Sequence, residues 1–356
     1  MPLRLKELAQ HLNLSPTTVS RALAGYDDVN AGTRERVVEA ARELGYHPNR
    51  AAQRLRSGRT HAVGLVLPVL PQQFASPFFS ELLAGLGETL AGHDLDLLVS
   101  ACPAGPQELT CYGRLIQGRR IDAAVIIRAR VHDERVALLQ RHGLPFVVHG
   151  RTEQAGSYAY LDVDGERGFA EATRFLLGLG HRRIALINAP PELNLSRVRA
   201  AGYLRALEEA GLGTDDLIVA SDLTEDSGYR AAGPLLDLPE PPTALLCAND
   251  LIAFGAMHAL RGRGLRVRRE VSVIGYDDVP FARFSDPPLT TLHSSSREAG
   301  ARLAGMLVEL LNGAAPEGLQ ELWTPTLVPR DSHGPAPGAA PPAPDSLHSP
   351  SPRRNV

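Results

Sequence analysis

Four small or forked polar side chains, Thr17, Thr18, Ser20 and Arg21, fall on the outer face of a short helix that the surrounding pattern predicts. Arginine offers a planar fork of donors that matches O6 and N7 of guanine. Hydroxyls reach phosphate oxygens or the methyl edge of thymine, so the face has the chemistry of a major-groove reader. A second group gathers near the ends of apolar runs in the body of the chain: Arg199, Asn249 and Asp277, with Phe78 and His149 beside them. Guanidinium, amide and carboxylate together read neighbouring donors and acceptors on a hydroxylated ligand, and an aromatic ring covers a sugar's C–H face. Each of these residues also has a structural reading, as helix cap, surface ion pair, core ring or satisfied histidine.

The motifs of enzyme chemistry are absent. No GxGxxG follows a strand-like run; Gly85-Leu86-Gly87-Glu88 lies inside an amphipathic helix pattern and lacks the third glycine, which makes it a packing feature. There is no GxSxG elbow, P-loop or HExxH. The acidic pairs Asp27-Asp28 and Asp277-Asp278 are adjacent residues whose side chains diverge. The second pair ends a strand-like run, the edge at which open α/β sheets bind ligands. Cys102, Cys111 and Cys247 have neither CxxC nor zinc spacing, and they read as small buried apolar residues without a disulfide framework. The expectation is a binding protein and not an enzyme, with no catalytic residue, no metal and no cofactor.

The first group needs a helix–turn–helix to position it. Leu5, Leu8, Ala9 and Leu12 keep a helical spacing, then Val19, Ala22 and Leu23, then Val37, Val38, Ala41 and Leu44. Ala9 is small where two helices cross, Asn13 can take the left-handed turn conformation, and Leu14 and Val19 fill the angle. Ser15 caps the second helix and Pro16 occupies its first position, where a missing N–H costs nothing. A third helix is predicted over Thr33–Leu44, with Thr33 as its capping hydroxyl and Arg34 able to touch phosphates. On spacing alone an ordinary helical hairpin with a solvated face remains the alternative.

The second group needs sheets. From His61 onward short apolar β-runs alternate with amphipathic helices, the pattern of doubly wound parallel sheets. The runs are His61–Pro68, Asp94–Ala101, Ile121–Arg128, Pro145–Gly150, Tyr158–Asp164, Arg183–Ala189, Leu217–Ser221, Ala244–Ala248 and Val271–Tyr276. Helices are predicted at Phe78–Ala91, Glu166–Leu179, Ser196–Ala210 and Leu251–Arg261. That many strands suit two sheets better than one, with a break between Gly150 and Asp164.

A chain of 356 residues, 44% hydrophobic and 22% charged, is an ordinary globular composition with room for two or three domains. The net charge of −3 hides an asymmetry. Residues 1–60 carry 10 basic against 6 acidic side chains, and residues 61–356 carry 27 against 34. The basic end suits nucleic acid and the acidic remainder does not. No apolar run is long enough to span a bilayer and no signal-peptide pattern opens the chain, so no membrane partner and a cytoplasmic location are expected. Residues 333–356, with 7 prolines in 24 positions, are expected to be a disordered tail.

The segments SPTTVSRAL, YHPNRAAQRL, GLGHRRIALI, LLCANDLIAFGAM, VSVIGYDD and PPLTT carry a resemblance. Over nearly its whole length the chain resembles the LacI-type (lactose/galactose repressor) transcription regulators. The resemblance implies an all-α helix–turn–helix headpiece over 1–46 and a hinge helix and linker over 47–60. It further implies a type I periplasmic-binding-protein-like effector domain of two doubly wound α/β subdomains. These would be 61–160 plus 292–322 and 161–291 plus 323–332, joined by crossovers near 161, 291 and 323.

For function the resemblance implies a repressor of sugar uptake or catabolism genes, whose affinity for a palindromic double-stranded operator is controlled allosterically by a small sugar. The DNA-binding positions would be Leu5, Ser15, Pro16, Thr17, Thr18, Ser20, Arg21, Thr33, Tyr46, Asn49, Ala52 and Leu55. Leu55 would wedge into a minor-groove step, with Ala52 small beside it and Arg50, Arg54 and Arg56 near phosphates. The effector-binding positions would be Phe78, His149, Arg199, Asn249 and Asp277. Leu223 stands where the galactoside-binding relative has a tryptophan, so the effector need not be a β-galactoside; the wording of Pro77–Leu83, Val147–Arg151 and Phe281–Pro288 looks most like α-glucoside-responsive members. A homodimer would match the palindrome, with Phe78–Ala91 and Leu251–Arg261 as candidate shared surfaces. A sugar-binding transport protein of the same fold is the alternative, which the headpiece and the missing signal peptide oppose.

Overall fold

The computed structural model describes residues 3–23, 25–46, 58–69, 76–153, 156–213 and 217–338. The chain divides into two compact units, Met1–Thr60 and His61–Val356.

The first unit holds α1 (Leu5–His11), α2 (Pro16–Leu23) and α3 (Ala31–Glu43). Asn13 has φ 54°, and the Leu14 N–H reaches the Ala9 carbonyl at 3.0 Å, which closes the tight turn. Ser15 Oγ accepts the Thr18 N–H at 3.0 Å and so caps α2. Leu8, Ala9, Val19, Ala22, Val37, Ala40 and Ala41 form the core, with Leu5 and Tyr46 packed at its margin. One expectation fails. The cap of α3 is Asn30, whose side chain accepts the Gly32 N–H, and Thr33 lies inside the first turn. Asn outranks Thr as a cap, and the third helix starts two residues earlier than its apolar pattern indicates.

The second unit contains two six-stranded sheets. The first has the order β11-β5-β4-β3-β1-β2 and is parallel throughout. Its strands are β1 (Ala62–Pro68), β2 (Asp96–Cys102), β3 (Ala123–Ile126), β4 (Phe146–His149), β5 (Ala159–Val163) and β11 (Gln320–Trp323). Helices α4 (Pro77–Gly92) and α11 (Ser296–Leu311) cover one face through Leu82, Leu86, Leu303 and Leu307. Helices α5 (Gln107–Gln117) and α6 (Glu134–Arg141) cover the other through Tyr112, Leu115, Val136 and Leu139.

The second sheet has the order β12-β10-β9-β8-β6-β7, parallel except for the β10–β12 pair. It comprises β6 (Ile184–Asn188), β7 (Ile218–Ala220), β8 (Ala244–Cys247), β9 (Ser272–Asp277), β10 (Thr290–His293) and β12 (Thr326–Val328). Helices α9 (Glu225–Leu236) and α10 (Asp250–Gly262) pack on one face, and α7 (Gly165–Gly178) and α8 (Asn194–Glu209) on the other.

All nine strand-like runs are strands, and three further strands are added. β10 is buried but begins with Thr290 and Thr291, so its signal is polar. β11 and β12 are short, partly exposed edge strands. Residues 161–163 and Trp323 pair within the first sheet, and residues 292–293 within the second. The expected divisions near 161, 291 and 323 therefore shift by one to three residues, to the ends of β5, β10 and β11. The start expected for the disordered tail, residue 333, also shifts. His333 Nδ1 lies 2.7 Å from Thr290 Oγ1, Gly334 N donates to Ser272 Oγ at 3.0 Å, and Ala336 N donates to the Leu179 carbonyl at 2.9 Å. Residues 339–356 of that tail lie outside the described residues.

The α4–α11 crossing needs glycine on both helices. A Cβ on Gly85 would stand 2.0 Å from the Arg297 carbonyl oxygen, and one on Gly300 would stand 2.2 Å from the Leu82 carbonyl oxygen, whereas one on Gly87 would meet nothing within 4 Å. The Gly85-Leu86-Gly87 segment is thus a packing feature through its first glycine alone. Gly85→Ala should push α4 from α11 and cost about 1–3 kcal/mol in urea unfolding, with Gly87→Ala neutral or stabilising by up to ~1 kcal/mol.

Candidate functional site

In the headpiece, Ser15, Pro16 and Thr17 are exposed on α2, and Thr18 and Ser20 are half-buried. Thr18 Oγ1 lies 2.8 Å from Ser15 Oγ. Arg21 forms an ion pair with Asp28 and its guanidinium lies 5.1 Å from the centre of the Tyr26 ring, so this donor fork is parked on its own headpiece. Arg34 folds back, donating to the Tyr26 carbonyl at 2.7 Å, and braces the α2–α3 turn in place of extending toward a phosphate. Thr33 is half-buried beside it. Asn49, Ala52 and Leu55, with Arg50, Arg54 and Arg56, lie outside the described residues.

In the second unit both sheets present strand ends to one cleft. Residues following β1, β3, β4 and β5 meet residues following β6, β7, β8 and β9. Phe78, His149, Arg199, Asn249 and Asp277 all line it, joined by Arg128, Arg151, Asp162, Asp222 and Tyr276. Phe78 stands at the mouth, 5.7 Å from the His149 ring, while Phe79 is buried in the first-sheet core.

Arg199 projects from α8 and is buried. Its Nη1 donates to the Ala248 carbonyl at 2.5 Å, and its guanidinium lies 4.0 Å from the centre of the Tyr276 ring. This ring-and-carbonyl seat fixes the fork without a carboxylate partner. Its Nε is buried with no hydrogen-bond partner among the described residues, a donor that a ligand oxygen would satisfy. Asn249 caps α10: its Oδ1 accepts the Ile252 N–H at 2.9 Å and its Nδ2 donates to the Leu223 carbonyl at 3.2 Å. The cap is therefore Asn249, and Asp250 is the first residue of the helix. Asp250 is fully buried, accepting from Thr291 Oγ1 at 2.5 Å and the Val279 N–H at 2.8 Å.

The two adjacent carboxylates at the end of β9 part company. Asp278 pairs with Arg330 at 2.5 Å and His293 at 3.2 Å, whereas Asp277 lines the cleft. Burial pushes the Asp277 carboxyl up to about 7, and Arg199 pulls it back only in part. Burial lowers His149 below the usual imidazole value, which favours the neutral ring. Backbone strain gathers at the same edge: Arg128, Leu223 and Asp277 have φ of 54°, 60° and 109°. Non-glycine residues adopt such angles at a cost that surrounding structure must hold, and they cluster at ligand sites.

A strap joins the cleft's two walls. Arg130 and Leu193 form an antiparallel bridge, flanked by Asn194 N to the Ala129 carbonyl at 2.9 Å and Val131 N to the Glu192 carbonyl at 3.0 Å. The Arg197–Glu153 ion pair at 3.0 Å adds to it. Behind the strap, Arg135 donates to the Arg128 carbonyl at 3.0 Å and holds Glu108 at 3.1 Å and Asp133 at 2.7 Å, all in the interior.

Residues 4–49 match the family model described as bacterial regulatory proteins, lacI family, and residues 173–333 match that of the periplasmic binding protein-like domain. The chain is 45% identical to the HTH-type transcriptional regulator AglR of Rhizobium meliloti (strain 1021), covering 99% of each chain. This chain belongs to the lacI family of bacterial regulatory proteins. It is 40% identical to the HTH-type transcriptional regulator RafR of Escherichia coli, over 93% of this chain and 99% of the relative.

Among solved structures of this family, it is similar to the transcriptional regulator CelR–cellobiose complex, with a TM-score of 0.72 at 32% identity, covering 93% of this chain and 99% of that one. The lac repressor dimer bound to operator and the anti-inducer ONPF matches with a TM-score of 0.81 at 27% identity, over 93% and 99%. As expected of a lacI-family regulator, the chain combines a helical headpiece with a two-subdomain α/β body.

The sequence pointed to five cleft residues in this lacI-family chain and missed Arg128, Arg151, Asp162 and Asp222. Arg128 and Asp162 end or nearly end predicted strands, so the strand-end rule applied evenly would have found both. Among the described residues Arg128 has no side-chain hydrogen bond or ion pair, while Arg151 is held by Asp162 at 2.7 Å. No cluster of three or more His, Cys, Asp or Glu among the described residues is placed to hold a metal ion, and no described helix is long and apolar enough to cross a membrane.

The raised Asp277 gives a signed pH effect. An unfolded aspartate loses its proton near ~3.9, the folded one near 7, so the folded state binds the extra proton between them and stability falls as pH rises through that window. Asp277→Asn should remove this contribution. In urea titrations across that range the stability of wild type relative to Asp277→Asn should decline with pH, by at most ~4 kcal/mol in total. Parallel profiles would contradict the assignment.

Proposed function

We propose that this lacI-family chain is a transcriptional repressor of sugar uptake or catabolism genes, binding its operator as a homodimer in the cytoplasm and releasing it when a sugar enters the cleft. The observation that carries this reading is the union, in one chain, of a helix–turn–helix with a cleft whose charged forks and aromatic rings come from both subdomains.

The cleft's chemistry suits a neutral, hydroxyl-rich ligand. Arg199 and Asp277 sit as donor and acceptor on one wall and Arg128 as a free donor fork on the other, with Phe78 offering a face for C–H surfaces and Tyr276 seating Arg199. Asn249 contributes through its cap, since both ends of its amide are engaged by backbone. The similarity to the CelR–cellobiose complex supports a sugar; α-glucosides are the first class to test. No enzymatic activity is assigned, because among the described residues lining the cleft no hydroxyl is hydrogen-bonded to a histidine or carboxylate that could act as its base.

At the DNA, Thr17, Thr18, Ser20 and Arg21 would face the major groove, Leu5, Ser15, Pro16, Thr33 and Tyr46 its flanking backbone, and Asn49, Ala52 and Leu55 the minor groove. Arg21 would exchange Asp28 for a base edge on binding. For the dimer, α10 offers little free surface, being buried over most of its length. Phe281 and Phe284, 64% and 74% exposed, and Val99 on edge strand β2 supply apolar surface for the partner copy.

A thermal-shift panel of α-glucosides, β-glucosides and pentoses, followed by calorimetry of each hit, identifies the effector. Arg199→Ala and Arg128→Gln should each weaken its binding on the order of 10- to 100-fold while operator affinity without sugar stays at the wild-type value. Unchanged sugar affinity in the Arg199 variant would remove that residue from the site. Consumption of the sugar by the protein would overturn the repressor reading.

A further inference from the structure

Three cysteines are scattered along the sequence, but folding brings two of them together. Cys111 sits on α5, which lies across edge strand β2, and its Sγ is 3.1 Å from Ser100 Oγ. Residues two apart on a strand share a face, so Cys102, the last residue of β2, projects toward the same helix as Ser100. The two thiols lie in one core cluster with Leu98 and Tyr112. Cys247 lies in the other sheet, wholly buried among Ala185, Leu245 and Ile252.

The surroundings of the pair are uneven. The Arg114 Nη2 donates to Cys111 Sγ at 3.6 Å, so a cation touches this sulfur, and the Ser100 hydroxyl adds a second polar neighbour. Cys102 is held as a thiol by burial first, then by Cys111 and Glu108, which push it up to about 11. One sulfur is set to attack and the other to resolve. The approach runs past the β2–α5 connection, where Pro103 and Ala104 are exposed, and beside Val69, itself 54% exposed.

We propose that Cys102 and Cys111 are a reversible redox pair that closes to a disulfide when a small peroxide oxidises the folded protein. The Cys111 sulfur attacks one peroxide oxygen and gives up its proton, the O–O bond breaks, and the leaving hydroxide takes that proton and departs as water, which leaves a sulfenic acid on Cys111. The Cys102 sulfur then attacks that sulfur, the S–O bond breaks, and hydroxide departs with the Cys102 proton as a second water. Two thiols and one peroxide become one disulfide and two waters.

The bond would tie β2 to α5 at a sensitive place. The Cys102 carbonyl accepts the Val69 N–H at 2.7 Å, at the outset of the chain that leads to the cleft wall at Phe78. Helix α5 carries Glu108, which holds Arg130 of the cross-cleft strap and Arg135 behind it. Oxidation would therefore stiffen the subdomain that frames the effector.

The test is hydrogen peroxide titration of the native full-length protein, followed by unfolding, alkylation of remaining thiols and peptide mass mapping. The expected result is a loss of about 2 Da on a linked Cys102–Cys111 peptide pair, reversed by dithiothreitol, with Cys247 alkylated throughout. Cys102→Ser should leave Cys111 as a sulfenic acid that dimedone captures, and Cys111→Ser should leave Cys102 unmodified at the same dose. A linkage involving Cys247, links between chains only, or separate overoxidation of the two sulfurs would overturn the proposal. So would full alkylation of all three thiols at a dose that oxidises Cys111 in the Cys102→Ser protein. None of these readouts depends on the identity of the sugar.

Discussion

The account rests on one geometric constraint: two parallel sheets turn the carboxyl ends of their strands toward each other, and the chain passes between them after β5, β10 and β11. Parallel strands end where their connections leave for the covering helices, so each sheet exposes its loops and free backbone groups at that edge. Facing the two edges across a cleft puts Phe78, Arg128 and His149 opposite Arg199, Asn249 and Asp277, although these residues are far apart in sequence. The three passages lie at strand ends, and a ligand touching both walls would have different contacts if the subdomains changed orientation. That difference is what allows binding to move an equilibrium.

Two groups of buried charge in this body behave in opposite ways, and the contrast separates scaffold from site. Glu108, Asp133 and Arg135 are buried together with each guanidinium edge and carboxylate oxygen engaged by a neighbour. Such a network is satisfied by the protein itself, and it holds the strap of residues 128–131 against the other wall. Arg199 is also buried and Asp277 half-buried, yet Arg199 rests on a ring and a carbonyl and keeps an unmet donor, and Asp277 carries the cost of desolvation as a raised carboxyl. Buried polarity left incomplete, at a strained backbone, marks the place where a ligand supplies the missing partners.

Much of this was legible in the sequence because the deciding signals are local. The turn at Asn13, the cap at Ser15 and the apolar spacing of Leu8, Val19 and Val37 specify the headpiece within a few residues of one another. The nine runs of branched and apolar residues mark strands, of which β1, β3, β6 and β8 are buried along their whole length. What escaped notice depends on distant partners. Thr290 and Thr291 look like a turn until Asp250, Ser332 and His333 receive their polar groups. Asn30 displaced Thr33 as a cap through one hydrogen bond to Gly32. The proline-rich end looked featureless from 333 onward, yet His181 and Ser272 fasten Gly334 from positions 153 and 62 residues away. Arg128 closes the run Ile121–Arg128, so its place at the cleft is legible in the sequence, but the lack of a hydrogen-bond or ion-pair partner for its guanidinium among the described residues appears only in the folded chain.

The central claim is that cleft occupancy controls the grip on DNA. The direct measurement is a fluorescence-anisotropy titration of the full-length protein on a labelled palindromic operator, at fixed salt, with and without a saturating amount of the sugar that calorimetry identifies. The account predicts two chains bound per duplex and an operator affinity that falls on the order of 5- to 150-fold when sugar is present. An operator affinity unchanged by a sugar that demonstrably fills the cleft would contradict it.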